Sequence, residues 1–221
     1  MGKGVPVKVW LALGVLLMMA GCGNDPVRVD SAALIKGALQ KAVVGKSAAP
    51  AAPPLNRAAI DQQGLPLTRA ALPKSGAVAV LALIGANNGA QTWGTADGIT
   101  LVLRNGVALA TRGLGTDLMS ASAPSAATLA SGASHDRRHY YLFGGEKEIE
   151  NTFACTMSSL GREAISIVGL GYAVQHRQEH CTGPSGTFTN DFWFDTLGKI
   201  RQSRQWISPP VGYMELQDLM R

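Results

Sequence analysis

Four histidines form two pairs, His135-Asp-Arg-Arg-His139 and His176-Arg-Gln-Glu-His180. On a helix, i and i+4 imidazoles share a metal ion, as in zinc enzymes of the HExxH type. Neither pair has Glu directly after its first His, and both fall where the sequence reads as strand or loop. Four residues of strand set the two rings about 13 Å apart, too far for one ion. No metal is expected, and the histidines read as polar residues on a strand face. A serine hydrolase needs a nucleophile elbow, whereas Ser185 sits in the proline-bearing loop Gly183-Pro-Ser-Gly186. Gly113-Leu-Gly115 continues Thr-Asp-Leu, so a dinucleotide fingerprint fails at its third glycine. No catalytic residue and no cofactor is expected. Fifteen Asp and Glu leave the paired carboxylates of a glycan-processing enzyme as an alternative.

Two further sets of side chains could act by contact. Trp193 and Trp206 flank one expected hairpin, with Phe192, Phe194 and Tyr213 nearby. Ring faces stack on sugars, and Arg204 with Gln202 or Gln205 supplies hydrogen bonds to hydroxyls or to an acidic saccharide. With only four Trp, four Tyr and five Phe in the chain, the more economical reading is that these rings fill the core. The second set is the cysteines, Cys22, Cys155 and Cys181.

Cys22 explains the first 22 residues. Lys3 and Lys8 precede an apolar run from Val9 to Ala20, long enough for a signal-peptide core and too short for the roughly 20 residues of a membrane-spanning helix. Met19-Ala20-Gly21-Cys22 then resembles the bacterial lipobox, in which small residues admit the peptidase and the thiol carries a diacylglyceryl group. Cys22 is thus the expected lipidation site, and acyl chains buried at ~0.8 kcal/mol per methylene make a firm membrane anchor. Gly23, in place of Asp, favours the periplasmic face of the outer membrane over inner-membrane retention. The two remaining cysteines lie in an oxidising compartment, where an even number favours a Cys155–Cys181 disulfide worth ~3 kcal/mol.

Composition narrows the rest. Apolar residues at 46% exclude a wholly disordered chain, and charged residues at 16% exclude a nucleic-acid binder working by counterion release. Removal of Lys3 and Lys8 with the leader reduces the formal charge of +5 further. Residues 1–21 are then a signal peptide, 22–55 an anchored helix and Pro/Ala-rich tether, and 56–221 one β-rich domain. The helix is expected from Asp30 or Ser31 through Val43, with Leu34, Ile35, Ala38, Leu39 and Ala42 at helical spacing. Beyond the tether 47–54, a short helix or loop is expected over Thr68–Leu72 and a buried strand over Ala77–Ile84. Asn105-Gly106 joins Ile99–Arg104 to Val107–Arg112 in a type I′ hairpin. A small helix or loop covers 120–134. Arg138–Phe143, Ile149–Met157, Glu163–Val168, Tyr172–Cys181, Phe188–Phe194 and Lys199–Ile207 read as a meander, with turns at Gly144-Gly145 and Leu160-Gly161. A short helix or strand over Met214–Met220 closes a set of eight or nine strands. Short connections make the sheet antiparallel.

Several of these segments together resemble the YjbF/GfcB family of group 4 capsule and exopolysaccharide lipoproteins. The residues that carry the likeness are Asp97–Leu118 with its Gly-Leu-Gly-Thr-Asp-Leu ending, Asn190-Asp-Phe-Trp-Phe-Asp195, and Arg201-Gln-Ser-Arg-Gln-Trp-Ile-Ser-Pro209. Gly113, Gly115, Asp117, Ser203, Arg204, Gln205 and Trp206 match the family motifs. The resemblance implies an outer-membrane lipoprotein that helps to assemble or export surface polysaccharide, with polysaccharide or export proteins as partners. It implies a mainly β fold, a curved antiparallel sheet or barrel similar to lipoprotein carriers of the LolA type, with a few peripheral helices. That likeness of fold suggests, as an alternative, a binding module for a lipid or lipid-linked glycan. The family supplies no catalytic residues. From the residues themselves, Gly113 and Gly115 suit a tight turn, and Asp117 is expected to cap a following helix.

Overall fold

The computed structural model describes residues 55–143 and 147–221. The leader, Cys22, the helix expected from Asp30, the tether 47–54 and the Gly144-Gly145 turn lie outside the described residues. The described chain forms α1 (Arg57–Gln63), β1 (Leu67–Leu72), β2 (Ala77–Asn87), β3 (Ala90–Gly94), β4 (Thr100–Arg104), β5 (Val107–Arg112), β6 (Ser120–Ser122), α2 (Ala126–Ser131), β7 (His135–Phe143), β8 (Lys147–Ile167), β9 (Leu170–Gly183), β10 (Gly186–Asp195), β11 (Ile200–Ser208) and β12 (Gly212–Asp218).

The twelve strands make one antiparallel sheet in the order β5-β4-β3-β2-β1-β12-β11-β10-β9-β8-β7-β6. Consecutive strands pair throughout, except β5 and β6, and β1 also pairs with β12. The two edges are therefore β5 and β6, consecutive in the chain. Thr111 N–H donates to the Leu118 carbonyl at 2.8 Å and Met119 N–H to that of Tyr140 at 2.9 Å, drawing the edges toward each other. The result is a nearly closed barrel.

Local chemistry accounts for the hairpins. Asn105 and Gly106 have φ of 49° and 85°, the two left-handed residues that a type I′ turn requires. A Cβ on Gly106 would also meet Ile200 Cβ at 3.0 Å. Asn56 caps α1 by accepting from Ala59 N–H at 2.9 Å, and Ser125 caps α2 by accepting from Thr128 N–H at 3.0 Å. Along β10, alternation turns Phe188, Asn190, Phe192 and Phe194 into the barrel and Trp193 out. Along β11, Ser203, Gln205 and Ile207 go in and Arg204 goes out.

The interior is packed mainly by Leu81, Trp93, Leu101, Leu103, Leu118, Ile207, Met214 and Leu216. Leu129 of α2 extends it over Phe192, Phe194 and Ile200. Outside the barrel, α1 sets Ile60 against Leu67, Ile167 and Leu219. Cys155 and Cys181 face each other in register across β8 and β9. Both are buried, and their sulfurs are bonded at 2.01 Å.

Four sequence expectations are corrected. Thr68–Leu72 belongs to strand β1, because its backbone is needed between β2 and β12. The Ala77–Ile84 run is a strand but not a buried one: Val78, Val80 and Ile84 stand on its outward face, 59%, 38% and 52% exposed. Leu160-Gly161 does not turn. The sheet absorbs Gly161, at φ 102°, as a bulge between Ser159 and Gly161, so β8 runs unbroken for 21 residues. The turn lies at Val168-Gly169, with Val168 at φ 46°, a conformation that β-branched residues rarely adopt. The total is twelve strands instead of eight or nine.

Candidate functional site

The outward face of β9 to β12 carries a continuous stripe of rings and charges. Trp193 and His176 are register partners, and their rings stack with centroids 4.3 Å apart. The Trp193 indole N–H donates to Glu163 of β8. His176 lies 3.0 Å from Asp191 Oδ1 and 3.4 Å from Glu163 Oε1. Gln178 Nε2 donates to the same Asp191 oxygen at 3.0 Å. Asp191 faces Arg204 across β10 and β11, with the nearest charged atoms 3.9 Å apart. The Arg204 guanidinium, 38% exposed, lies 3.5 Å from the centre of the Tyr213 ring. Tyr213 meets Trp206 edge-on at 5.2 Å.

A local splaying of the sheet places Trp206. Pairing between β10 and β11 stops at Asp191↔Arg204. Beyond it, Trp206 N–H donates to the side-chain oxygen of Asn190 at 2.7 Å, and Thr189 N–H donates to the Tyr213 hydroxyl at 3.2 Å. Trp206 stacks over Phe188, half-buried. The structure thus brings Trp193 and Arg204 together around Asp191 and links Trp206 to them through Tyr213. Of the rings expected to fill the core, Phe192 and Phe194 are buried in it and Trp206 packs half-buried against the Phe153, Cys155, Cys181 and Phe188 cluster, whereas Trp193 stands on the outward face. Gln202 accepts from Gln217, and Gln205 points inward, away from the stripe. Stacked rings beside a partly exposed guanidinium and carboxylate acceptors suit a ligand rich in hydroxyls.

Inside the barrel sits a second polar cluster. Glu179, fully buried, accepts from Arg137 Nε at 2.7 Å, from Asn190 Nδ2 at 2.6 Å and from His135 Nε2. Burial works to raise its carboxyl, but the charge of Arg137 and these hydrogen bonds outweigh it and hold the pKa down at about 2. Next to it, burial and then Arg137 push His139 down to about 3, so its ring is neutral between Phe153 and Phe188. Donor atoms of His135, Cys155 and Glu179 lie within 4.8 Å of one another. The Cys155 sulfur is spent on Cys181, leaving no thiolate for a metal. The two histidine pairs lie on β7 and β9.

The motif residues do something else. Asp117 accepts from Gly113 N–H at 2.9 Å, Leu114 N–H at 3.1 Å and Thr111 Oγ1 at 2.8 Å. It locks the loop between β5 and β6 and caps no helix, which corrects the expectation from sequence. Gly113 (φ 93°) is pressed against Ile99 Cα, 3.3 Å from where a Cβ would be; Gly115 has φ 92°. From the opposite wall, Gln205 reaches across to edge strand β5. Its Oε1 accepts from Ala108 N–H at 2.9 Å, and its Nε2 donates to the Gly106 carbonyl and to Ser203 Oγ, both at 2.8 Å. Ser208 Oγ donates to the Thr116 carbonyl at 2.8 Å. The two motif segments touch each other and close the barrel.

The sequence profile described as "Group 4 capsule polysaccharide lipoprotein gfcB, YjbF" matches residues 32–219. The chain belongs to this family. Among solved structures it is similar to the crystal structure of the hypothetical lipoprotein YmcC from Escherichia coli (K12), with a TM-score of 0.68 and 22% identity. The match covers 76% of this chain and 90% of that one, and at this identity the likeness is one of fold. No curated protein matches the chain.

For a group 4 capsule lipoprotein, the outward stripe is the part that sequence reasoning assembled least well. It found Trp193, Arg204 and Trp206 with Tyr213 nearby and read His176 only as a polar strand residue, but it did not single out Glu163 or Asp191. Alternation does put His176 and Gln178 on one face of β9, and Asp191 two residues before Trp193 on β10. What it cannot supply is the register Asp191↔Arg204, which joins the strands into one surface.

Proposed function

We propose that this capsule lipoprotein is a non-enzymatic accessory factor in polysaccharide assembly or export, anchored through Cys22 to the periplasmic face of the outer membrane. It acts by contact, touching glycan or an export component with the stripe formed by Trp193, His176, Asp191, Arg204, Tyr213 and Trp206. The observation that carries this reading is the register that lines these residues up on one outward face, the motif residues Arg204 and Trp206 among them, while Asp117, Ser203 and Gln205 are spent on barrel closure. The non-enzymatic reading is supported by the occupied state of the acidic groups there. Asp191 is engaged by His176, Gln178 and Arg204, and Glu163 by Trp193 and His176.

The test is complementation of a deletion strain. Arg204→Ala combined with Trp193→Ala is expected to restore protein abundance while reducing surface polysaccharide at least severalfold. Full restoration of polysaccharide by the double variant would remove the stripe from the function.

A further inference from the structure

A cavity of about 920 Å³ opens at one end of the barrel, on a different surface from the stripe. Its walls come from β1, β3, β4, β11 and β12, the tips of the β4–β5 and β10–β11 hairpins, and α2. Trp93, Leu103, Ile200 and Leu216 provide apolar surface, and Ala126, Ala127 and Ala130 of α2 keep one wall shallow. The charged groups at the rim are spent on one another. Arg201 donates to Asp195, Asp218 and the Met220 carbonyl, and Lys199 pairs with Asp218. Thr68 Oγ1 donates to the Gln217 carbonyl, and Ser203 Oγ is taken by Gln205. One buried donor is left over. Trp93 is 7% exposed, and its indole N–H, a group that when buried ordinarily finds an acceptor, has no partner.

We infer that this cavity holds an acyl chain, with an ester or carboxyl oxygen accepting from Trp93. The volume is at the upper end of known small-molecule sites, which are mainly apolar with a few placed polar groups. A saccharide carries a hydroxyl on nearly every carbon, and beyond the amides of Gln91, Asn105 and Gln202 these walls offer it few free partners. An alkyl chain asks for none, and its one oxygen-bearing end satisfies the single orphaned donor. Two sources share this chemistry: a membrane lipid, or the acyl groups on the protein's own Cys22. The proposal does not depend on what the outward stripe binds.

The test uses the full-length protein in its native membrane. Cells are fed a fatty acid with a diazirine near its methyl end and irradiated, and the purified protein is digested with trypsin. Adducts are expected on peptides 75–104, which contains Trp93, and 113–137, which contains α2. Ala130→Trp and Ala127→Trp, each filling the cavity from α2, are expected to lower adduct yield per folded protein at least tenfold. A free phospholipid mass on the barrel peptides identifies a membrane lipid as the occupant, and a bridge to the peptide bearing Cys22 identifies the protein's own anchor. Label confined to the Cys22 peptide, or barrel adducts undiminished in both variants, would overturn the inference.

Discussion

Glu179 has no exposed surface and keeps its charge because three donors converge on it. A group whose carboxyl falls from 4.5 to about 2 on folding stabilises the native state above pH 4.5 and loses that contribution as the pH drops toward 2. The amount is about 3 kcal/mol. His139 acts in the same direction for a different reason. Its neutral ring is retained on folding, so below 6.5 the unfolded chain gains a proton that the native state refuses until about pH 3. Thermal melts are therefore expected to weaken in two steps on acidification, beginning below about pH 6.5 and steepening below about 4.5. Glu179→Gln should lower stability at pH 7 by roughly 3–5 kcal/mol, since Arg137 is then buried without its counter-ion, and should flatten the lower step. A melting temperature independent of pH between 7 and 3 in the native protein would contradict this account. None of the cluster was legible as a cluster in the sequence. Glu179 and His135 are 44 positions apart, and nothing in either local pattern marks a buried charge.

At the scale of elements, the barrel closes because edge strand β5 finds partners on the opposite wall. Unpaired edge backbone is costly when buried and hazardous when free. Gln205 answers one N–H and one carbonyl of the β5 hairpin. Gln205→Leu keeps the bulk and removes both bonds, and is expected to cost about 2–4 kcal/mol in urea unfolding. Surface polysaccharide should then fall only in proportion to protein abundance. A normal unfolding midpoint with polysaccharide lost would make Gln205 a contact residue instead. The legibility of elements followed local chemistry. Asn105-Gly106 could be read because both residues tolerate positive φ, and Cys155 with Cys181 because an even pair in an oxidising compartment has an obvious fate. Leu160-Gly161 was misread because a glycine at a bulge and a glycine in a turn carry the same signature. Val168 went unnoticed because tertiary pairing of Ile167 with Leu170 overrides its own preference. Strand β1 was missed because its amphipathic pattern is short and one of its two partners, β12, lies at the far end of the domain.

For the whole molecule, the proposed lipid anchor is the sharpest expectation to test. The lipobox at Cys22 predicts that Cys22→Ala yields a full-length, unprocessed species that incorporates no labelled palmitate. Palmitate labelling undiminished in that variant would refute the anchor. Fold class and family were legible, since an antiparallel meander follows from short connections and the motif strings are distinctive. The cavity and the stripe were not, because the cavity joins residues more than a hundred positions apart and the stripe depends on the register of separate strands.

The pairing of β1 with β12 has a consequence for biogenesis. On the proposed route of export, a chain delivered N-terminus first presents β1 to β5 as a meander whose β1 side must wait for β12. Until then, a row of unsatisfied amides and the aliphatic inner face of half a barrel stand open to water, which makes the interval before β12 arrives the point at which a chaperone has most to protect. Truncating even the final seven-residue strand should therefore be far more damaging than its length suggests.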